Sequence, residues 1–129
     1  MEQEEKDRDL LLRDLCARLA YGVKIQVPYD ICSGYYTETV WTIDNDEPFY
    51  VNGRGIEYIK PYLFPLSSMT DEEWEEYQKI RMIDCVHGDI NGTFINSGLI
   101  VDWLNAHHFD YRGLIDKSLA LDANGLNIY

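Results

Sequence analysis

An α+β fold is what the sequence predicts: a small, mainly antiparallel sheet with about three helices packed on it. Three observations predict it. Apolar residues recur every three or four positions from Leu11 to Leu19, then alternate with polar ones from Val23 to Val27. The pair Asn52-Gly53 separates two short β-prone runs, as in a tight hairpin. Thr70 and Glu73 have capping-box spacing ahead of another helical run. A chain of 129 residues suits a single domain, 1–129, with a core of its own.

Residues 1–6 are polar and expected to fray. Asp7 or Asp9 caps a helix running to about Ala20. Leu11, Leu12, Leu15, Cys16 and Leu19 form its apolar stripe, with Arg13 and Arg18 off it. Arg18 suits the negative helix end, and Gly22 is the C-cap. Val23–Val27 reads as a half-buried strand that Pro28 ends or places at an edge. Tyr35–Ile43, rich in β-branched and aromatic residues, reads as a second strand reached through a hairpin link. After a turn at Asp44–Pro48, Phe49–Val51 and Arg54–Ile59 form the Asn-Gly hairpin. Arg54 between Gly53 and Gly55 also fits an anion-binding loop, but the turn is the simpler reading.

Ile56–Leu66 begins as a strand, and Pro61 and Pro65 are expected to carry it out of the sheet. A helix follows from about Asp71 to Ile83. Met69 and Trp74 staple its start, and Trp74, Tyr77 and Ile80 face inward. Asp71, Glu72, Glu75 and Glu76 form its acidic outer face, read either as plain solvated surface or as a docking patch. Asp84–Gly98 is glycine-rich and reads as a loop, with a short strand at Gly92–Ile95. Ser97 caps a third helix from Leu99 to His107 or His108. Phe109–Ile115 is a turn or short helix, Leu119–Ala123 a last strand, and Asn124-Gly125 the start of a loose end.

The net charge is −12, divided as −5 over residues 1–64 and −7 over 65–129, so acidity is spread over both halves. Such a surface repels nucleic-acid phosphates and anionic lipid, and attracts a basic protein surface. Cys16, Cys32 and Cys85 are odd in number and have no Cys-x-x-Cys spacing, which points to buried thiols in a reducing compartment. The start has no apolar stretch behind a basic one, and no run suffices to span a bilayer, so a cytoplasmic protein is expected.

Aromatic, titratable and basic groups crowd together most densely in Asp102–Ile115. His107, His108, Tyr111 and Arg112 make a recognition patch in the functional reading. In the structural one they are a helix end and an ordered turn, with Arg112 paired to Asp110 or Asp102. A divalent metal is the alternative, held by Asp84, His87 and Asp89 with His107 or His108, in a metal-dependent hydrolase. Adjacent helical residues diverge by about 100°, which sets His107 and His108 apart. There is no nucleophile elbow, phosphate loop or dinucleotide fingerprint, so no catalytic residue and no cofactor is assigned. A small-ligand site lined by Tyr35, Tyr36, Tyr50 or Tyr58 is a third reading.

Leu10–Val27, Ile59–Thr70 and Asp102–Ala123, together somewhat under half of the chain, resemble a group of small uncharacterised proteins from gut anaerobic bacteria and their phages or prophages. Relatives favour Pro at the position of Ala20 and Arg at that of Phe64. The resemblance implies a mobile-element context and carries over no catalytic residue. Charge and resemblance together lead to a non-enzymatic interaction protein, a phage- or prophage-encoded regulator or inhibitor of a host protein. Its contacts are Asp71, Glu72, Glu75 and Glu76 with the His107–Arg112 patch, and nucleic-acid mimicry is its sharper form.

Overall fold

Ile25 and Val27 are fully buried while Lys24, Gln26 and Pro28 are half-buried, and this alternation makes a strand with one face on the core. The computed structural model describes residues 2–29, 33–44, 46, 49–90, 93 and 94, and 99–129, with side chains at all of these except 83–90, 93 and 94. The elements in order are α1 (Glu2–Arg18), β1 (Lys24–Pro28), β2 (Tyr35–Thr39), β3 (Ile43–Asp44), β4 (Tyr50–Val51), β5 (Arg54–Gly55), β6 (Lys60–Pro65), α2 (Asp71–Gly88), β7 (Asp89–Ile90), β8 (Thr93–Phe94), α3 (Leu99–Ala106), β9 (Phe109–Asp110) and β10 (Leu121–Asp122). The fold is α+β, with three α-helices among the described residues and sheets paired mainly antiparallel.

β1 lies between β2 and β6 and is antiparallel to both. β9 and β10 run parallel to β6. Phe64 N–H donates to the His108 carbonyl (2.8 Å), while the Leu63 carbonyl accepts from Ala123 N–H (2.8 Å). Neighbouring strand residues direct their backbone groups to opposite edges, so β9 and β10 flank β6 on opposite sides. The prolines therefore do not take this segment out of the sheet. Pro61 and Pro65 share the parity of Leu63, so their missing N–H groups fall on the β10 edge, where pairing covers only Tyr62 and Leu63.

The two faces of β6 serve two cores. Leu63 joins Leu11, Leu15, Val23, Ile25, Val27, Val51, Ile56, Ile59 and Leu114 in the larger one. Phe64 packs with Trp103, Leu104 and Phe109 in the smaller, beside Met69, Tyr77 and Ile80. Trp74 is 52% exposed and stacks on Tyr77 at the rim, so it is not part of the inner stripe.

α1 begins at Glu2, ahead of both caps expected from the sequence, and gives way to a 3-10 turn at Leu19–Tyr21. Its inward stripe is Leu11, Asp14, Leu15 and Arg18; Cys16 and Leu19 are exposed. The apolar pattern misplaced Arg18 because it discounts charged side chains that neutralise one another. Cys32 and the side chain of Cys85 lie outside the described residues.

Tyr35–Ile43 divides into β2 and β3 in separate sheets. Asn52 holds the break. Its Oδ1 accepts from Trp41 N–H (2.8 Å) and Thr42 N–H (3.2 Å), and its Nδ2 donates to the Thr39 carbonyl and Glu38 Oε1 (both 3.0 Å). Asn52 and Gly53 take φ of 52° and 82°, as a type I′ turn requires. An Asn52→Gly variant keeps that backbone and removes the four bonds. Urea denaturation is expected to show a loss of about 1–2 kcal/mol, and an unchanged midpoint would mean the bonds are redundant.

The Thr70–Glu73 capping box is present in both directions, at 2.9 and 3.1 Å. α2 nevertheless continues past Ile83, since the first helix-breaking residue is Gly88, and the expected loop carries the β7–β8 pairing. α3 stops at Ala106 because His108 adopts φ 63°, a left-handed helix end. β9 takes the first two residues of the turn or short helix expected over Phe109–Ile115, and the turn follows from Leu114. The chain end is tied down: Tyr129 Oη donates to the Tyr62 carbonyl (2.7 Å) and accepts from Lys24 N–H (2.8 Å), and Lys24 Nζ donates to the Ile128 carbonyl (2.8 Å).

Candidate functional site

Four acidic positions spaced along one side of a helix project together. Asp71, Glu72, Glu75 and Glu76 are all exposed, opposite the inward Glu73, Tyr77 and Ile80. Trp74 sits among them with half its surface open. Glu76 is anchored, its Oε1 accepting from Trp103 Nε1 (2.9 Å), and the other end of this seam is His107, whose Nδ1 lies 3.9 Å from Glu73 Oε2. His107 packs on Trp103 at 4.3 Å between ring centroids. An exposed anionic helix with a partly open indole suits a cationic, partly apolar partner.

The other half of the sequence-predicted patch turns inward. His108 is 9% exposed and stacks on Tyr129 at 3.6 Å. Burial, then the positive charges of Arg18, His107 and Lys24, push its pKa down to about 4, so the ring stays neutral in the folded protein. Its Nδ1 has no hydrogen-bond partner among the described residues. Tyr111 Oη donates to Asn105 Oδ1 (2.8 Å) and accepts from Arg112 Nη1 (2.9 Å). Arg112 pairs with neither Asp110 nor Asp102. Its Nη1 reaches Asp14 Oδ1 at 2.8 Å, because Asp110 gives both oxygens to the N–H groups of Leu114 and Ile115 (3.0 and 2.9 Å).

Asp14 is thus held by two guanidiniums. Arg18 Nε meets its other oxygen at 2.8 Å, Arg18 Nη2 donates to the Phe109 carbonyl at 2.5 Å, and the Asp14 and Arg18 side chains are both 0% exposed. The ring of Tyr111 lies 5.2 Å from Arg18 Cζ and 4.7 Å from Arg112 Cζ. Sequence reasoning missed this cluster. The available signal was the four-residue spacing of Asp14 and Arg18 on the same side as Leu11 and Leu15. Packed this tightly, the cluster positions β9 against α1 and offers a ligand little access.

His107 faces α2 and His108 faces the chain end, so the two do not converge. The side chains of Asp84, His87 and Asp89 lie outside the described residues. Among the described residues no group of three His, Cys, Asp or Glu is placed to hold a metal. Tyr35, Tyr50 and Tyr58 are exposed, and Tyr36 packs on Tyr29 and hydrogen-bonds Arg54. None of these tyrosines lines either of two surface cavities, of about 590 and 350 Å³. No helix among the described residues is long and apolar enough to cross a membrane. No protein-family model, curated protein or solved structure matches the chain.

Proposed function

We propose that this protein is a non-enzymatic acidic interaction protein that docks a basic surface of a partner protein through α2, as a phage- or prophage-encoded regulator or inhibitor of a host protein. The carrying observation is the open face of α2, where Trp74 stands among the exposed Asp71, Glu72, Glu75 and Glu76. Two further features support it. The capping box and the Glu76–Trp103 bond fix the helix, so little order has to be imposed on binding. The net charge of −12 steers a cationic partner toward the protein. His107 belongs to this surface; His108, Tyr111 and Arg112 support the fold. Nucleic-acid mimicry is the version in which the carboxylates replace phosphates against a DNA-binding partner.

The test is retention of host-lysate proteins on the immobilised chain. A basic protein is expected to bind at low salt, to elute as salt rises, and to be lost with Glu72→Lys combined with Glu75→Lys. Competition by duplex DNA would identify mimicry. Retention of no protein at low salt, or retention indifferent to the two substitutions, would sink the α2 reading.

A further inference from the structure

Residues 2–6, expected from their polarity to fray, are instead the start of α1, and Glu4 and Glu5 with Asp7 and Arg8 line a cleft of about 590 Å³. Glu4, Asp7, Arg8 and Leu11 recur at helical spacing and share one side of α1. Glu57, Lys60 and Leu119, from outside α1, also line it. Leu11, Ile56 and Ile59 border it too but are at most 3% exposed and belong to the larger core, so they make the cleft rigid, and the half-buried Leu119 is the apolar side chain it offers to an occupant. Along the lining, Glu4, Glu5, Asp7 and Glu57 outnumber Arg8 and Lys60 by two charges.

The volume lies in the range of preformed binding clefts. Its chemistry selects among occupants. An anion would meet the surplus carboxylates. An uncharged apolar ligand would strip water from them without replacing it. A basic segment carrying an apolar side chain satisfies both parts, setting the apolar group against Leu119 and its cations against Glu4, Glu5, Asp7 and Glu57. We infer that the cleft between α1 and the 56–60 segment is a docking site for a lysine- or arginine-rich peptide segment anchored by an apolar side chain. The site shares the sign of its partner's charge with the α2 face but none of its residues, so either surface can fail alone.

The probe is a short dye-labelled peptide of alternating lysine and leucine, followed by fluorescence anisotropy on the whole chain at low salt. Binding is expected, with amide shifts in the NMR spectrum at Leu11, Ile56, Ile59 and Leu119. Glu4→Lys with Glu57→Lys, both at exposed positions, should weaken it at least about tenfold, and Leu119→Ala by about fivefold. Glu72→Lys with Glu75→Lys should leave it unchanged. Equal binding of a lysine–glycine peptide would show charge attraction alone and overturn the proposal. Absence of binding, shifts confined to α2, or equal weakening by the α2 variant would overturn it too.

Discussion

Replacing Asp14 with Ala is expected to cost about 3–5 kcal/mol, a large part of the stability of a domain this size. The substitution leaves Arg18, at 0% exposure, and the largely buried Arg112 with no carboxylate between them. Removing one partner of a buried ion pair is costly because the remaining charge stays desolvated. The same reasoning predicts a rescue. Asp14→Leu combined with Arg18→Met removes the fully buried pair but leaves Arg112, whose side chain is 19% exposed, without its carboxylate, so it should recover part of the loss and not all of it. Urea midpoints of the single and double variants measure both effects. A loss under about 1 kcal/mol for Asp14→Ala would mean that water reaches the guanidiniums and the cluster is not buried in solution.

The second large effect is acid destabilisation centred on His108. Its pKa is about 4 in the fold against 6.5 for a free imidazole. Between these values the unfolded chain binds a proton that the folded protein refuses. Stability is therefore full above about pH 6.5, falls as pH drops toward 4, and loses on the order of 2–3 kcal/mol across that window. Burial, with Tyr129 over the ring face, disfavours the charged imidazole, and the neighbouring Arg18 and Lys24 cations add to the same sign. His108→Asn tolerates the positive φ and cannot titrate, so its stability should be flat over the same window apart from the carboxylate contribution common to both proteins. An equally steep slope in the variant would assign the acid sensitivity elsewhere. At the alkaline end burial pushes the Tyr129 phenol up to about 12, so the stability tied to its neutral form is lost as pH rises from about 10 through 12.

How much of this was legible in the sequence depends on how local the cause was. The Asn52-Gly53 turn, the Thr70–Glu73 box and the alternation of β1 are each set by a few consecutive residues, and each was readable. The place of β6 was not. Pro61 is an unfavourable residue for a central strand unless its missing N–H meets an unpaired stretch of edge, and that depends on where β10 begins. The buried charges were hidden for a related reason. Asp14 and Arg18 read as surface residues until Arg112, far along the chain, supplies the third member of the cluster. Of the candidate site, the exposed acids of α2 followed from helical spacing alone. That His107 and His108 face apart followed from helical spacing, but that α3 ends before them with His108 left-handed did not, because a histidine does not announce that backbone choice.

The partners of β6 also set an order of assembly. During synthesis Lys60–Pro65 emerges with only β1 available to pair, through Lys60 and Pro61. Tyr62 to Pro65 must wait for Phe109–Asp110 and Leu121–Asp122. Until then Leu63 and Phe64, which belong to the two cores, stand on an unpaired strand. Long-range pairing of this kind slows folding and exposes a sticky edge meanwhile. A nascent chain halted before Phe109 is therefore the form of this protein most in need of a chaperone.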